Sequence, residues 1–199
     1  MKDFNYNKQT AEKYKNREIA STYHQQFTSP QNSKDILSSF VARYEKKAIK
    51  KLLNHCGKIS SVIDLPAGTG KLAPILIPFN FQITSCDISE EMLQIAKEVY
   101  QNQDYKKVQF KIVDLQFAVN HLDRHDLMIC LRLLHRVPLN IRVTMLEQIS
   151  KIANLSIVSI AVENQWHVMR RKIREFVIPG TREELEEGYL KSKKLWKRN

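Results

Sequence analysis

The chain has 199 residues, of which 43% are apolar and 27% are charged. That length and apolar fraction suit one domain with a buried core and leave little room for a second. No run of about 18 uncharged apolar residues occurs, which argues against a membrane-spanning helix. The start, Met1-Lys2-Asp3-Phe4-Asn5, has no apolar stretch of the signal-peptide kind, so a cytoplasmic location is the default expectation.

The formal net charge is +11, and it is unevenly spread. Residues 1–58 carry 12 Lys/Arg against 5 Asp/Glu, residues 59–162 carry 10 of each, and residues 163–199 carry 10 against 6. A neutral centre with basic ends is compatible with RNA, an acidic lipid face or an anionic small molecule as partner, and equally with a solvated Lys-rich surface. Cys56, Cys86 and Cys130 are far apart, without CxxC spacing, and the last two sit inside apolar runs. Buried thiols are expected there. No paired His/Cys cluster or HExxH spacing points to a metal.

In chain order, residues 8–26 read as a helix, with Ala11, Tyr14, Ile19 and Tyr23 at near-helical spacing. Thr28-Ser29-Pro30-Gln31-Asn32-Ser33 reads as a linker. The spacing predicts a second helix from Ser33 or Lys34 to Leu53, its apolar side formed by Ile36, Leu37, Phe40, Val41, Tyr44, Ala48 and Leu52. The period then changes. Short apolar runs predict strands at Ser61–Leu65, Phe81–Asp87, Val108–Val113, Asp126–Leu131 and Leu155–Val162. Between them lie a helix opening at Ser89, its candidate N-cap, and one over 140–153 with Val143, Leu146, Ile149 and Ile152 inward. After Val162 the pattern weakens. Thr181-Arg182-Glu183-Glu184 resembles a capping box, a short helix ends near Gly188, and Tyr189–Trp196 reads as a sixth strand. Strands alternating with helices predict an α/β fold with a largely parallel sheet.

The strongest chemical signal is Val62-Ile63-Asp64-Leu65-Pro66-Ala67-Gly68-Thr69-Gly70-Lys71-Leu72. A buried strand runs into a turn whose glycines permit close approach of a ligand, and a helix follows. Asp87 ends the next strand, 23 residues after Asp64, where an acceptor-only carboxylate suits the two hydroxyls of a ribose. Asp114 follows the third strand in the same way. Three strand-terminal acids argue against a pyrophosphate cofactor. They fit a cationic one with adenosine hydroxyls and an exocyclic amine. The phosphate loop GxxxxGK[ST] is absent, because Leu72 stands where the hydroxyl belongs.

On these residues the chain, over about 40–190, resembles the class I S-adenosylmethionine-dependent methyltransferases, particularly small single-domain bacterial members. Ile63–Gly70 looks like their first motif. Cys86-Asp87-Ile88-Ser89-Glu90-Glu91-Met92-Leu93 looks like their second, and Val113-Asp114-Leu115 like the segment whose acid meets the adenine amine. Asp126–Pro138 resembles the fourth strand and the loop after it.

The resemblance implies a Rossmann-like sheet flanked by helices, with residues 1–32 as a helical lid and 33–199 as the catalytic domain. It implies S-adenosyl-L-methionine as cofactor. Gly68 and Gly70 would lie against its amino-acid part, Asp64 would hold its amino group, and Asp87 its ribose. Ile88, Met92 and Leu115 would line the adenosine side, and Leu131 and Arg132 would flank the methionyl portion. Two departures stand out. Pro66 occupies a position where the family usually has Gly, with φ fixed and no N–H. The family's sheet closes with a hairpin, and the pattern here predicts only the first of its two strands, which implies a shortened fold, a trimmed chain or different strand boundaries.

The acceptor is less legible. His135 is the candidate general base, with His167 second. Arg132 and Arg136 flank His135, while Arg170, Arg171, Lys172 and Arg174 follow His167. These clusters favour an anionic acceptor, small or lipid-linked. RNA or protein methylation is the alternative, and a non-catalytic basic binding module the third reading. The Asn/Asp-Pro-Pro-Tyr/Phe motif of exocyclic-amine methylases is replaced by Cys130-Leu131-Arg132-Leu133.

Overall fold

The computed structural model describes residues 33–160, with side chains from residue 43 onward. Helix α1 (Ser33–Leu53) leads into a five-stranded sheet. The strands are β1 (Ser61–Asp64), β2 (Gln82–Asp87), β3 (Val108–Ile112), β4 (His125–Cys130) and β5 (Ala153–Val158). Their order is β3-β2-β1-β4-β5, and all four pairings are parallel. The connections carry α2 (Ala73–Leu76), α3 (Glu90–Gln101) and α4 (Leu139–Ile152), with 3-10 turns at Ile77–Phe79, Leu115–Asn120 and Leu134–Arg136. This is the expected Rossmann-like architecture, with a helix preceding the sheet.

Strand alternation builds two cores. On β1 and β4, Val62, Leu127 and Ile129 turn to one face, where they meet Ile49 and Leu53 of α1, Leu76 of α2 and Tyr100 of α3. Ile63, Met128 and Cys130 turn to the other, against Leu134 and the α4 residues Met145, Ile149 and Ile152. All three cysteines are free thiols. Cys86 and Cys130 are buried as expected, and burial pushes each thiol up to about 12.

Several predicted details shift. The buried face of α4 contains Met145, Ile149 and Ile152, whereas Val143 and Leu146 are exposed. Among the described side chains of α1, Ile49 and Leu53 are buried, while Tyr44, Ala48 and Leu52 are exposed. In α4, Ile149 and Ile152 are buried as expected, while the side chains of Ile36, Leu37, Phe40 and Val41 in α1 lie outside the described residues. The fifth strand starts at Ala153, directly from α4. The helix after the glycine turn is four residues long. Pro74 opens it, Pro78 follows at once, and Asn80 with φ of 58° closes the 3-10 turn. It therefore offers little helix dipole at that point. The lid helix over 8–26, His167, the basic run over 170–174, the capping box and the sixth strand lie outside the described residues.

No described helix is long and apolar enough to cross a membrane, and no group of three or more metal-binding side chains occurs among the described residues.

Candidate active site

Because every strand runs the same way, the carboxyl ends of β3, β2, β1, β4 and β5 form one rim, where ligands bind in open α/β sheets. Along it stand Asp114, Asp87, Asp64, the Leu131-Arg132 corner and Ser159, in that order.

Asp87 organises the rim. Its Oδ2 accepts the N–H of Gly68 at 2.8 Å, and its Oδ1 accepts that of Ser89 at 3.0 Å. One carboxylate thus ties the turn after β1 to the start of α3. Ser89 caps α3 as predicted, its Oγ accepting from Met92 N at 3.1 Å. Burial raises the Asp87 carboxyl, and the N–H groups of Ser89, Gly68 and Ile88 pull it back.

Asp64 differs. It is 2% exposed, and its Oδ2 has no hydrogen-bond partner among the described residues. Burial raises its carboxyl well above the usual range, and the neighbouring Asp87 raises it further. A buried acceptor without a donor is unfavourable unless a ligand completes it. Thr69 Oγ1 and Ser85 Oγ are also buried without a partner among the described residues.

The two glycines of the turn differ in the room around them. Gly68 has φ of 54°, and a Cβ there would meet nothing within 4 Å. Gly70, at φ of 73°, is pressed against α3, where a Cβ would come 3.1 Å from Ala96 Cα. One glycine faces open space and the other seats the turn on its neighbouring helix. The Leu65–Pro66 peptide is cis, and the Ala67 N–H beyond it donates to Cys86 O at 2.7 Å.

The remaining predicted residues divide. Asp114 lies on the same rim, one strand further out. Its carboxylate accepts from Gln116 N at 2.9 Å and Gln116 Nε2 at 3.2 Å, which caps the 3-10 turn. Ile88 is half-buried against the core, and Leu131 packs against the opposite core. The side chains of Met92 and Leu115 are enclosed by protein, at 3% and 1% exposure.

Beyond β4 the rim turns basic. Arg132 adopts φ of 58°, with its N–H on Ser159 Oγ at 2.8 Å. Its guanidinium reaches α1, where Glu45 Oε2 accepts both Nε (3.0 Å) and Nη2 (2.5 Å). His135, on the 3-10 turn, has a buried Nδ1 with no partner among the described residues. Burial first, then Arg136, Arg142 and Arg132, lower its pKa from the ordinary imidazole value. Lys71, the residue after Gly70, was seen in the sequence only as a failed phosphate loop. Its ammonium is pushed down to about 6 by burial, then by Arg132 and Arg136, with Glu45 opposing. The Glu45–Arg132 pair spans 87 positions, so no local motif announces it.

The orphaned Asp64 oxygen, the open space at Gly68 and the acids along β1, β2 and β3 fit an adenosyl sulfonium with an amino-acid end. Comparison with known proteins agrees. A family described as a methyltransferase domain matches residues 57–175. The chain belongs to that family and is an S-adenosylmethionine-dependent methyltransferase of the class I fold.

Its fold is similar to that of magnesium protoporphyrin IX methyltransferase from Synechocystis PCC 6803 with bound SAH, at TM-score 0.70 and 20% identity, covering 89% of this chain and 78% of that one. With bound SAM the same enzyme gives TM-score 0.64 and 15% identity, covering 85% of each chain. An S-adenosylmethionine-dependent methyltransferase from Clostridium acetobutylicum matches at TM-score 0.55 and 19% identity, covering 73% of this chain and 57% of that one. No curated protein matches by sequence.

Proposed function

We propose that this methyltransferase acts on a small-molecule or lipid-linked acceptor that carries negative charge. The observation behind this is the basic loop after β4, where Arg132 and Arg136 lie within three residues of His135 and, with Arg142, lower its pKa. Such a corner favours an anion and disfavours a cation.

When bound, the cofactor supplies an electrophilic methyl group on a sulfonium. Asp64 holds the ammonium of its amino-acid end, Asp87 the ribose hydroxyls and Asp114 the adenine amine. Gly68, Gly70 and the Pro66 turn lie along the amino-acid part, with Leu131 and Arg132 beside it. Ile88 and the backbone at Met92 and Leu115 border the adenosine. His135 is the candidate base for the acceptor's proton, and burial together with Arg136, Arg142 and Arg132 favours its neutral form. His167 is the second candidate for that role.

The test is product formation from S-adenosylmethionine with a panel of carboxylate- or phosphate-bearing small molecules and lipids, each beside its uncharged analogue. Turnover confined to the anionic members supports the reading. Turnover of the neutral analogues, or of RNA or protein alone, overturns it.

A further inference from the structure

From Tyr44 onward the side chains of α1 fall into four rows at i, i+4 spacing. Glu45, Ile49 and Leu53 form the inner row. Ile49 and Leu53 are buried in the core against the sheet, and Glu45 accepts from Arg132 at the rim. The next two rows are basic: Lys46 with Lys50, then Lys47 with Lys51, all four exposed. The last row, Tyr44, Ala48 and Leu52, is apolar and also exposed, Tyr44 at 71% and Leu52 at 48%. Going round the helix, this apolar row borders the Lys47–Lys51 row on one side and the inner row on the other.

We propose that the outer face of α1 docks this methyltransferase on an anionic lipid surface. The proposal goes beyond the acceptor reading and does not depend on it, because docking is measured without turnover. Three observations carry it. First, charge is concentrated here: residues 46–63 hold five lysines and no acid, Lys58 following the four of the helix. Lys50 and Lys51 lie in the last turn, where cations complement the helix dipole. Lys46 and Lys47 lie a turn earlier, so the helix end does not account for the stripe.

Second, an exposed aromatic ring and a leucine adjoin these lysines. A nucleic acid would use the lysines but leave Ala48 and Leu52 in water. A bilayer interface takes both groups: the apolar row enters the headgroup layer, and the lysine stems extend to the phosphates. Third, the same helix reaches the rim. Glu45 binds the Arg132 guanidinium from the inner row, so a docked α1 holds the loop after β4 in a fixed relation to the lipid surface.

The experiment is co-sedimentation of the full chain with vesicles of phosphatidylcholine alone and of phosphatidylcholine mixed with phosphatidylglycerol, over a salt series. Three variants are compared, each checked for folding by circular dichroism. One is the triple variant Lys47→Gln, Lys50→Gln, Lys51→Gln. The second is Tyr44→Ala, at a position exposed enough that the fold is little affected. The third is a control with the same change in net charge, Lys97→Gln, Lys106→Gln, Lys107→Gln, at exposed positions outside α1. Retention on poly(U) RNA is measured beside the vesicles.

The natural protein is expected to sediment with the phosphatidylglycerol vesicles and not with the neutral ones, and less so as salt rises. The α1 triple variant loses at least ~10-fold in partitioning, and the control keeps most of it. Tyr44→Ala weakens vesicle binding ~3–10-fold and leaves poly(U) retention unchanged. Absence of binding to the anionic vesicles at low salt overturns the docking, as does an equal loss in the two triple variants or unaltered vesicle binding by Tyr44→Ala. Retention of poly(U) without vesicle binding assigns the face to RNA and overturns the lipid reading.

Discussion

Asp87 Oδ2 lies 2.8 Å from the backbone nitrogen of Gly68, so the acid that ends β2 holds the turn that follows β1. Asp87→Ala removes the acceptor for the backbone N–H groups of Gly68 and Ser89 and one side of the proposed ribose site. Hydrogen bonds to charged groups contribute about 1.5–3 kcal/mol each. Cofactor affinity measured by calorimetry is expected to fall by ~1–3 kcal/mol, with a lower thermal midpoint as well. An unchanged affinity removes Asp87 from the site.

The two glycines of the turn should separate folding from binding. Gly70→Ala places a methyl 3.1 Å from the Ala96 backbone at positive φ, so its main effect is on stability, a loss of ~1–3 kcal/mol in denaturant melts. Gly68→Ala meets no protein atom. It costs about 1–2 kcal/mol in backbone conformation and fills space proposed for the cofactor. Its loss of binding is therefore expected to exceed its loss of stability. The reverse ranking contradicts the assignment of the open side to a ligand.

Asp64 predicts a pH dependence with a definite sign. Burial, then Asp87, raise its carboxyl in the folded protein, so the folded state keeps a proton that the unfolded chain gives up. The associated stability is fully present below the ordinary carboxylate range and is lost as pH rises through the folded value. Asp87, also raised by burial, acts in the same direction. Thermal melts of the ligand-free protein should show the midpoint falling over that interval, with a shallower fall in Asp64→Asn. A cationic ligand favours the ionised acid, so cofactor binding should release protons, seen as a buffer-dependent heat.

The rate, once an acceptor is found, should depend on His135. Its lowered pKa places the acid limb of the pH–rate profile below the ordinary imidazole value. His135→Ala should reduce turnover ~10²–10⁴-fold and leave cofactor affinity nearly unchanged. Full turnover by His135→Ala transfers the role elsewhere.

The sheet was readable because its central strands are short apolar runs, buried on both faces, that stop at Asp64, Asp87 and Cys130. The helix faces were less readable. Met145 and Leu146 are adjacent and both apolar, and only the sheet beneath α4 decides between them. The acids of the site were legible because each closes a strand. The basic half was not: Lys71 has no strand-end cue, and its relation to Glu45 and Arg132 exists only after α1 has packed beside the turn.

The central claim is that the acidic rim at Asp64 and Asp87 receives the cofactor. Calorimetric titration of the full chain with S-adenosylhomocysteine, repeated on Asp64→Asn, tests it most directly. Saturable one-to-one binding is expected, markedly weakened by the substitution in a protein that stays folded. Binding of equal strength in both proteins, or none in either at millimolar ligand, would contradict it.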